Sequence, residues 1–329
     1  MSLAIPTVEF GVPGDRIRVP RVGLGAMVGA YGTYDEEETV ELFKHAITLG
    51  CTFWDTADVY GYGKGEEIVC RAADKSVFVG TKFGIVFTAA DAKSDGGYQK
   101  VIGNVCGTPE YVRQQALDSM ERLGVDRIDL LYQHRVDPNV PIEVTVGTMA
   151  ELVKEEKVRF LGLCECTADE LRRAYKVHPI AAVQVEYSLW WLEPETNGLF
   201  ETCRELGVTI VTFSPLGRGM FTGTLQGSTK FDKNDYRSSK PRFSPENIAQ
   251  NLKLVESIGQ MAEKHGVTTA QLTLAWVLAQ EENLIVIPGT RRIKYLEENI
   301  AAGQIKLTNE EIQEIRSLVE TADIKGGRF

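Results

Sequence analysis

The sequence predicts a closed parallel (β/α)8 barrel, and three observations carry that expectation. Apolar, strand-like runs alternate with longer segments of helical period almost from end to end of the chain. Eight such pairs follow one another, the number that closes a barrel. The strands are apolar on both faces, as a parallel sheet covered by helices requires. The competing architecture is a doubly wound sheet, which would place a glycine fingerprint after its first strand; Gly23-x-Gly25 supplies two glycines, but Val28 holds the third position. A chain of 329 residues suits one barrel, so residues 1–329 are expected to form a single domain.

Residues 6–20 hold two short alternating segments around Pro13-Gly14-Asp15 and read as an N-terminal hairpin ahead of the main fold. Barrel strands are expected at 19–26, 52–58, 77–83, 128–135, 158–165, 181–188, 208–215 and 284–289. The helices between and after them fall at 35–49, 66–73, 109–123, 141–155, 167–177, 194–206, 245–265 and 293–302. Thr108-Pro109-Glu110 marks one start, with proline at the first helical position. An extra C-terminal helix, 308–322, opens on the capping box Thr308-Asn309-Glu310-Glu311 and should pack outside the barrel. Segments 86–107 and 218–244 are too long for simple connections. Both leave carboxyl ends of strands, so both are expected to overhang the mouth where barrels bind ligands.

The net charge of −10 argues against nucleic acid and anionic membrane as partners. No apolar run is long enough to cross a bilayer and the N-terminus lacks a signal-peptide pattern, so a cytoplasmic protein is expected. The six cysteines show neither disulfide nor zinc spacing, and the four histidines are too scattered for a metal site. Nothing in the sequence identifies a self-complementary face, and the oligomeric state is left open.

Chemistry gathers at the strand ends. Asp55 lies near the end of the second strand, and Tyr60 follows in the loop that Gly61, Gly63 and Gly65 impose. Lys82 sits late in an otherwise apolar strand, where an ammonium is costly unless a carboxylate compensates it; Asp55 on the adjacent strand is the natural partner. His134 closes the fourth strand. Each has a bland alternative: Asp55 capping a turn, Tyr60 packing, Lys82 reaching water, His134 as a hydrogen-bonded structural residue. Together they are chemically coherent. A phenol of pKa about 10 is a poor acid at neutral pH unless a cation stabilises its phenolate. Lys82 can supply that charge, Asp55 can hold Lys82, and His134 can hydrogen-bond a carbonyl oxygen.

With these residues stand D-T-A-D-V-Y (55–60), T-K-F-G (81–84), Q-H (133–134), G-L-C-E (162–165), V-Q-V-E-Y (183–187), F-S-P-L-G-R-G (213–219) and I-P-G-T-R-x(5)-E-E-N (287–299), in that order. The chain resembles an aldo-keto reductase over nearly its whole length, and its 218–244 segment is most similar to the plant and microbial branch that includes pyridoxal reductases. The resemblance implies a (β/α)8 fold and NADPH-dependent reduction of small-molecule aldehydes or ketones, with NADH the lesser cofactor. Tyr60 would be the general acid, tuned by Lys82 and Asp55, with His134 orienting the carbonyl. By the same resemblance Gly25, Ala26 and Met27 lie beside the nicotinamide ribose, Gln184 fixes the carboxamide, and Phe213 stacks on the nicotinamide. Ser214, Leu216 and Arg218 pass over the pyrophosphate. Gly289, Thr290, Arg291 and Lys294 lie toward the adenosine 2′-phosphate, and Glu298 and Asn299 meet the adenine. Cys164 and Glu165 occupy carboxamide positions where relatives often carry serine and asparagine, and Tyr295 replaces an arginine found in some members.

Tyr31, Trp190, Trp191 and Phe221 are candidates for an apolar substrate wall. Two other readings compete with the reductase: a cofactor-binding regulatory subunit on the same barrel, as in potassium-channel β subunits, and a metal-dependent barrel enzyme, for which a ligand cluster is lacking.

Overall fold

The computed structural model describes residues 5–28, 34–88, 103–231 and 235–328. An antiparallel hairpin of β1 (Thr7–Val12) and β2 (Asp15–Pro20) comes first. Eight parallel strands follow: β3 (Leu24–Gly25), β4 (Phe53–Asp55), β5 (Phe78–Phe83), β6 (Ile128–Gln133), β7 (Val158–Cys164), β8 (Ala182–Glu186), β9 (Thr209–Phe213) and β10 (Leu284–Val286), each bonded to the next in chain order. The ring closes through Val22, which bridges Val286, with the Gly23 N–H donating to the Val286 carbonyl at 2.9 Å. A Cβ at Gly25 would lie 2.7 Å from the Ile287 carbonyl oxygen. The Gly23-x-Gly25 pair therefore serves the closing seam, where two backbones approach too closely for a side chain.

Side chains alternate inward and outward along a strand, and the inward set forms a stack. Its lower layer is apolar, with Phe53, Phe78, Leu130, Phe160, Val211 and Ile285 buried together. Further toward the carboxyl ends, the same faces carry Asp55, Lys82 and Gln184. A Cβ at Gly162 would come within 2.3 Å of the Tyr132 ring, so that glycine makes room for the tyrosine inside the barrel. The hairpin seals the amino-terminal end: Phe10 is fully buried and its ring meets Phe53, Phe78 and Phe160 edge-on at 5.8, 5.2 and 5.6 Å.

Three expectations are corrected. The first barrel strand does not begin at 19: Val19 and Pro20 belong to the hairpin, and pairing resumes only after Arg21, whose N–H turns to the Pro6 carbonyl. The helix expected at 194–206 is two, Glu193–Thr196 and Leu199–Leu206, parted where Gly198 adopts a φ of 83° and the Asn197 side chain accepts the Leu199 N–H. After β9 there is a second helix, Thr269–Leu278, beyond the expected one at Pro245–Lys264. It is buried from Leu272 to Leu278, so it lacks the one-sided period by which amphipathic helices are found. The extra helix, Asn309–Thr321, has its capping box and packs outside the barrel, with its Ile312 carbonyl accepting from the Trp276 indole at 3.1 Å. Among the described residues, no helix is long and apolar enough to cross a membrane.

Candidate active site

The group expected at the strand ends assembles. Lys82 has no exposed surface; its ammonium is ion-paired with Asp55 Oδ1 and donates to the Thr56 carbonyl at 2.7 Å. The other Asp55 oxygen accepts from Gln184 Nε2 at 2.7 Å, so one carboxylate ties β4 to β5 and β8. Burial pushes the Asp55 carboxyl up, against the opposing pull of Lys82 and Gln184. Lys82 Nζ also lies 5.1 Å from the centroid of the Tyr60 ring.

Tyr60 is placed by backbone geometry. Beyond β4 the chain stays registered on β5, with the N–H groups of Thr56 and Asp58 donating to Gly80 and Lys82 carbonyls at 2.8 and 3.1 Å. It then turns through Gly61 (φ 59°) and Gly63 (φ 93°) into the helix Lys64–Ala72. Buried Glu66 pins that helix, accepting from Thr81 Oγ1 and Arg122 Nε, both at 2.6 Å. Asp58, two residues before Tyr60, is fully buried; burial, then the Glu66 charge, raise its pKa well above the usual carboxylate value, favouring the neutral acid.

His134 follows β6, its N–H donating to the Phe83 carbonyl at 2.7 Å, and its ring meets Tyr60 edge-on with centroids 5.7 Å apart. Burial, then the charges of Arg135 and Lys82, hold its pKa well below 6.5, which makes it a neutral imidazole. This carries a pH prediction. The unfolded chain binds a proton near pH 6.5 that the folded chain refuses, so this residue's stabilisation is full above that pH and is lost as pH falls toward the folded value. Urea midpoints of the wild type should decline below about pH 6.5, and His134→Gln should flatten part of that decline. An equally steep profile in the variant would contradict a buried neutral histidine.

A cavity of about 500 Å³ opens at this end of the barrel, with Asp55, Tyr60 and Gln184 on its wall. Gly25, Ala26 and Met27 line one side, and Phe213, Ser214, Leu216 and Arg218 another. Gly289, Thr290 and Arg291 line the far end. The wall also includes Arg292, part of the basic cluster expected at the 2′-phosphate, and Tyr295, together with residues that sequence reasoning did not assign to the site: Thr222 and Thr224, Tyr34, Thr39 and Phe43, and Arg237. Asp235 holds the Arg237 guanidinium at 2.9 and 2.7 Å. Thr222, Thr224 and Arg237 were signalled only by the long segment 218–244, and Tyr34, Thr39 and Phe43, beside or within the helix Glu36–Thr48, carried no signal.

Other expected residues lie off this wall. Cys164 is buried inside the barrel, and Glu165 is ion-paired with Arg328. Lys294 is exposed, Asn299 is buried, and Glu298 accepts from Thr268 Oγ1 at 2.5 Å. The proposed apolar substrate wall is corrected for three of its four members. Trp190 and Phe221 are buried against each other, centroids 5.5 Å apart, and Trp190 also packs on Phe243; Trp191 faces the guanidinium groups of Arg328 and Arg242 at 4.8 and 5.5 Å. They fasten the long segment to the barrel, as aromatic pairs with a large apolar area do. Tyr31 lies outside the described residues. Among the described residues, no group of three or more His, Cys, Asp or Glu could hold a metal ion.

Residues 21–320 match the family model described as the aldo/keto reductase family. The chain is 46% identical to the aldo-keto reductase str7 of Strobilurus tenacellus, covering 99% of this chain and 95% of that one. It is 40% identical to the aldo-keto reductase yakc [NADP(+)] of Schizosaccharomyces pombe, with coverage of 99% and 95%. Among solved structures, a glycerol dehydrogenase from Gluconobacter oxydans superposes with a TM-score of 0.85 at 26% identity, covering 96% of each chain. An aldo-keto reductase from Klebsiella pneumoniae in complex with NADPH shares the fold, with a TM-score of 0.72 at 22% identity and 95% of each chain covered.

Proposed function

The chain belongs to the aldo/keto reductase family, and on that premise we propose that it reduces an aldehyde or ketone to the alcohol using NADPH, with Tyr60 as the proton donor. The observation that carries the reading is the meeting of Tyr60, Lys82, Asp55 and His134 beside a cavity that also holds Arg218, Arg237, Arg291 and Arg292. That donor set fits a dinucleotide with a pyrophosphate and a third phosphate, and NADP(+) stands in the name of one relative. Bound NADPH supplies the hydride for the carbonyl carbon. Phe213 offers a ring face to the nicotinamide, and Gln184, oriented by Asp55, would hold the carboxamide. Arg218 and Arg237 would meet the pyrophosphate, with Arg291 and Arg292 meeting the 2′-phosphate.

The chain's own part in the chemistry is proton management. The Tyr60 hydroxyl delivers its proton to the substrate oxygen, and the Lys82 ammonium stabilises the phenolate left behind. Asp55 keeps Lys82 in place. A neutral His134 donates an N–H to the carbonyl oxygen, orienting it without taking Tyr60's role as acid.

The direct test is NADPH consumption by the purified protein against aromatic aldehydes, aliphatic ketones and pyridoxal. Turnover with at least one class is the expected result. Tight NADPH binding with no turnover on any of them would instead favour a regulatory, cofactor-sensing role. Arg291→Ala should weaken NADPH binding by roughly tenfold while leaving NADH binding nearly unchanged, because only NADPH carries the 2′-phosphate. Equal losses for both cofactors would move the 2′-phosphate site elsewhere.

A further inference from the structure

Segment 322–328, beyond the last helix, does not trail into solvent. Asn251 holds Lys325 by both backbone groups, accepting its N–H at 2.8 Å and donating to its carbonyl at 3.0 Å. Gly326 passes so close to the 241–242 backbone that a Cβ would sit 2.7 Å from Arg242 N, and it takes a φ of 84° that favours glycine. Gly326 thus lets the chain press in, and Arg328 is delivered to the carboxyl ends of β7 and β8.

There Arg328 enters a cluster of four charges, of which Glu186 and Arg218 are buried and Glu165 and Arg328 partly so. Its Nη2 donates to Glu165 Oε2 at 2.5 Å and its Nε to Glu186 Oε2 at 2.7 Å. The same Glu186 oxygen accepts from Arg218 Nη2 at 2.6 Å, and Arg218 Nη1 donates to the Arg328 carbonyl at 3.0 Å. The Glu186 and Arg218 side chains are only 1% and 4% exposed. Glu165 is fixed from the other side, its Oε1 accepting the Glu186 N–H at 2.8 Å. Arg218 lines the cavity, at the start of the segment that Arg237 also grips through the Arg218 carbonyl at 3.3 Å. Arg218 holds a φ of 57°, a conformation that a non-glycine residue keeps only when its surroundings impose it.

We propose that Arg328, which does not line the cavity, is a positioning residue for the cofactor, making segment 325–328 part of the NADPH-binding machinery. The inference rests on the proposed function above. With buried Arg242 close enough to feel Glu186, Arg218 and Arg328, three guanidinium groups stand against two carboxylates, and the surroundings are net positive beside the cofactor's phosphates. Without Arg328, only Arg218 and Arg242 stand against Glu165 and Glu186, and the positive excess is lost in a poorly screened place. That loss weakens the hold on an anionic dinucleotide, while the backbone carbonyl at 328 that Arg218 donates to stays in place.

The test is NADPH titration of the full chain by fluorescence, with melting temperatures measured in parallel. Arg328→Met should raise the Kd for NADPH by roughly tenfold, the scale of one lost charge several ångströms away. Glu165→Gln removes a negative charge and keeps the acceptor for the Glu186 N–H, and its own Kd is the reference for the double variant. Glu165→Gln with Arg328→Met restores the wild-type net charge and should bring the Kd to within about threefold of both wild type and Glu165→Gln. A wild type that does not bind NADPH would end both the proposed function and this inference. An Arg328→Met Kd within twofold of a binding wild type would overturn this inference alone. So would a loss that Glu165→Gln fails to repair, because it would come from packing and not from charge.

Discussion

Tyr60→Phe should lower kcat by roughly a thousandfold, the middle of the range for loss of a positioned general acid, while the Kd for NADPH stays within about twofold. The substitution removes one hydroxyl and leaves the ring, which is nearly buried against His134 and near Lys82. Packing should therefore survive, and the loss should fall on the chemical step. Single-turnover reduction with NADPH already bound isolates that step from binding and release. On the cavity wall Tyr60 is the phenol that has a buried ammonium close to its ring. If the variant keeps more than about a tenth of wild-type single-turnover rate, Tyr60 is not the acid.

Lys82→Met should have the second largest effect, on stability and activity together. Removing one partner from a buried ion pair leaves an uncompensated charge, at a cost of about 3–5 kcal/mol. Asp55 would keep only its bond from Gln184. Its raised folded pKa means that the protonated carboxyl is the better tolerated form, so the variant's stability should be greatest at low pH and fall as pH rises through the folded pKa. Adding Asp55→Asn removes the orphaned charge and should recover much of the stability without recovering turnover. Urea unfolding of the two single variants and the double variant measures the coupling. A double variant no more stable than Lys82→Met would mean that the pair is held for reasons other than mutual compensation.

The barrel and the gathering of Asp55, Lys82 and His134 at its mouth were legible because both rest on period and chemistry. Alternation located each of the eight strands, and three consecutive strands ending in Asp55, Lys82 and His134 pointed to the mouth before any coordinate did. The helix Thr269–Leu278 escaped because burial on nearly every side erases periodicity. Val19 misled because hairpin and barrel pairing follow one another with only Arg21 between Pro20 and the bridging Val22. Trp190 and Phe221 misled differently: a large aromatic near a mouth reads the same in sequence whether it faces a ligand or another ring, and here it faces another ring. Arg328 carried no signal, since its partners Glu165 and Glu186 lie 163 and 142 residues away. Only the fold brings them together.

The Phe10 plug has a consequence for traffic. With the amino-terminal end stoppered by a ring wedged among three others, the barrel interior is a cul-de-sac. Asp55, Tyr60 and Gln184 open onto the doorway at the other end, so everything that reaches them shares it. Whatever seats deepest must arrive first and depart last. An ordered binding and release, read from product-inhibition kinetics, is therefore the expected result of closing the other end of the barrel at Phe10.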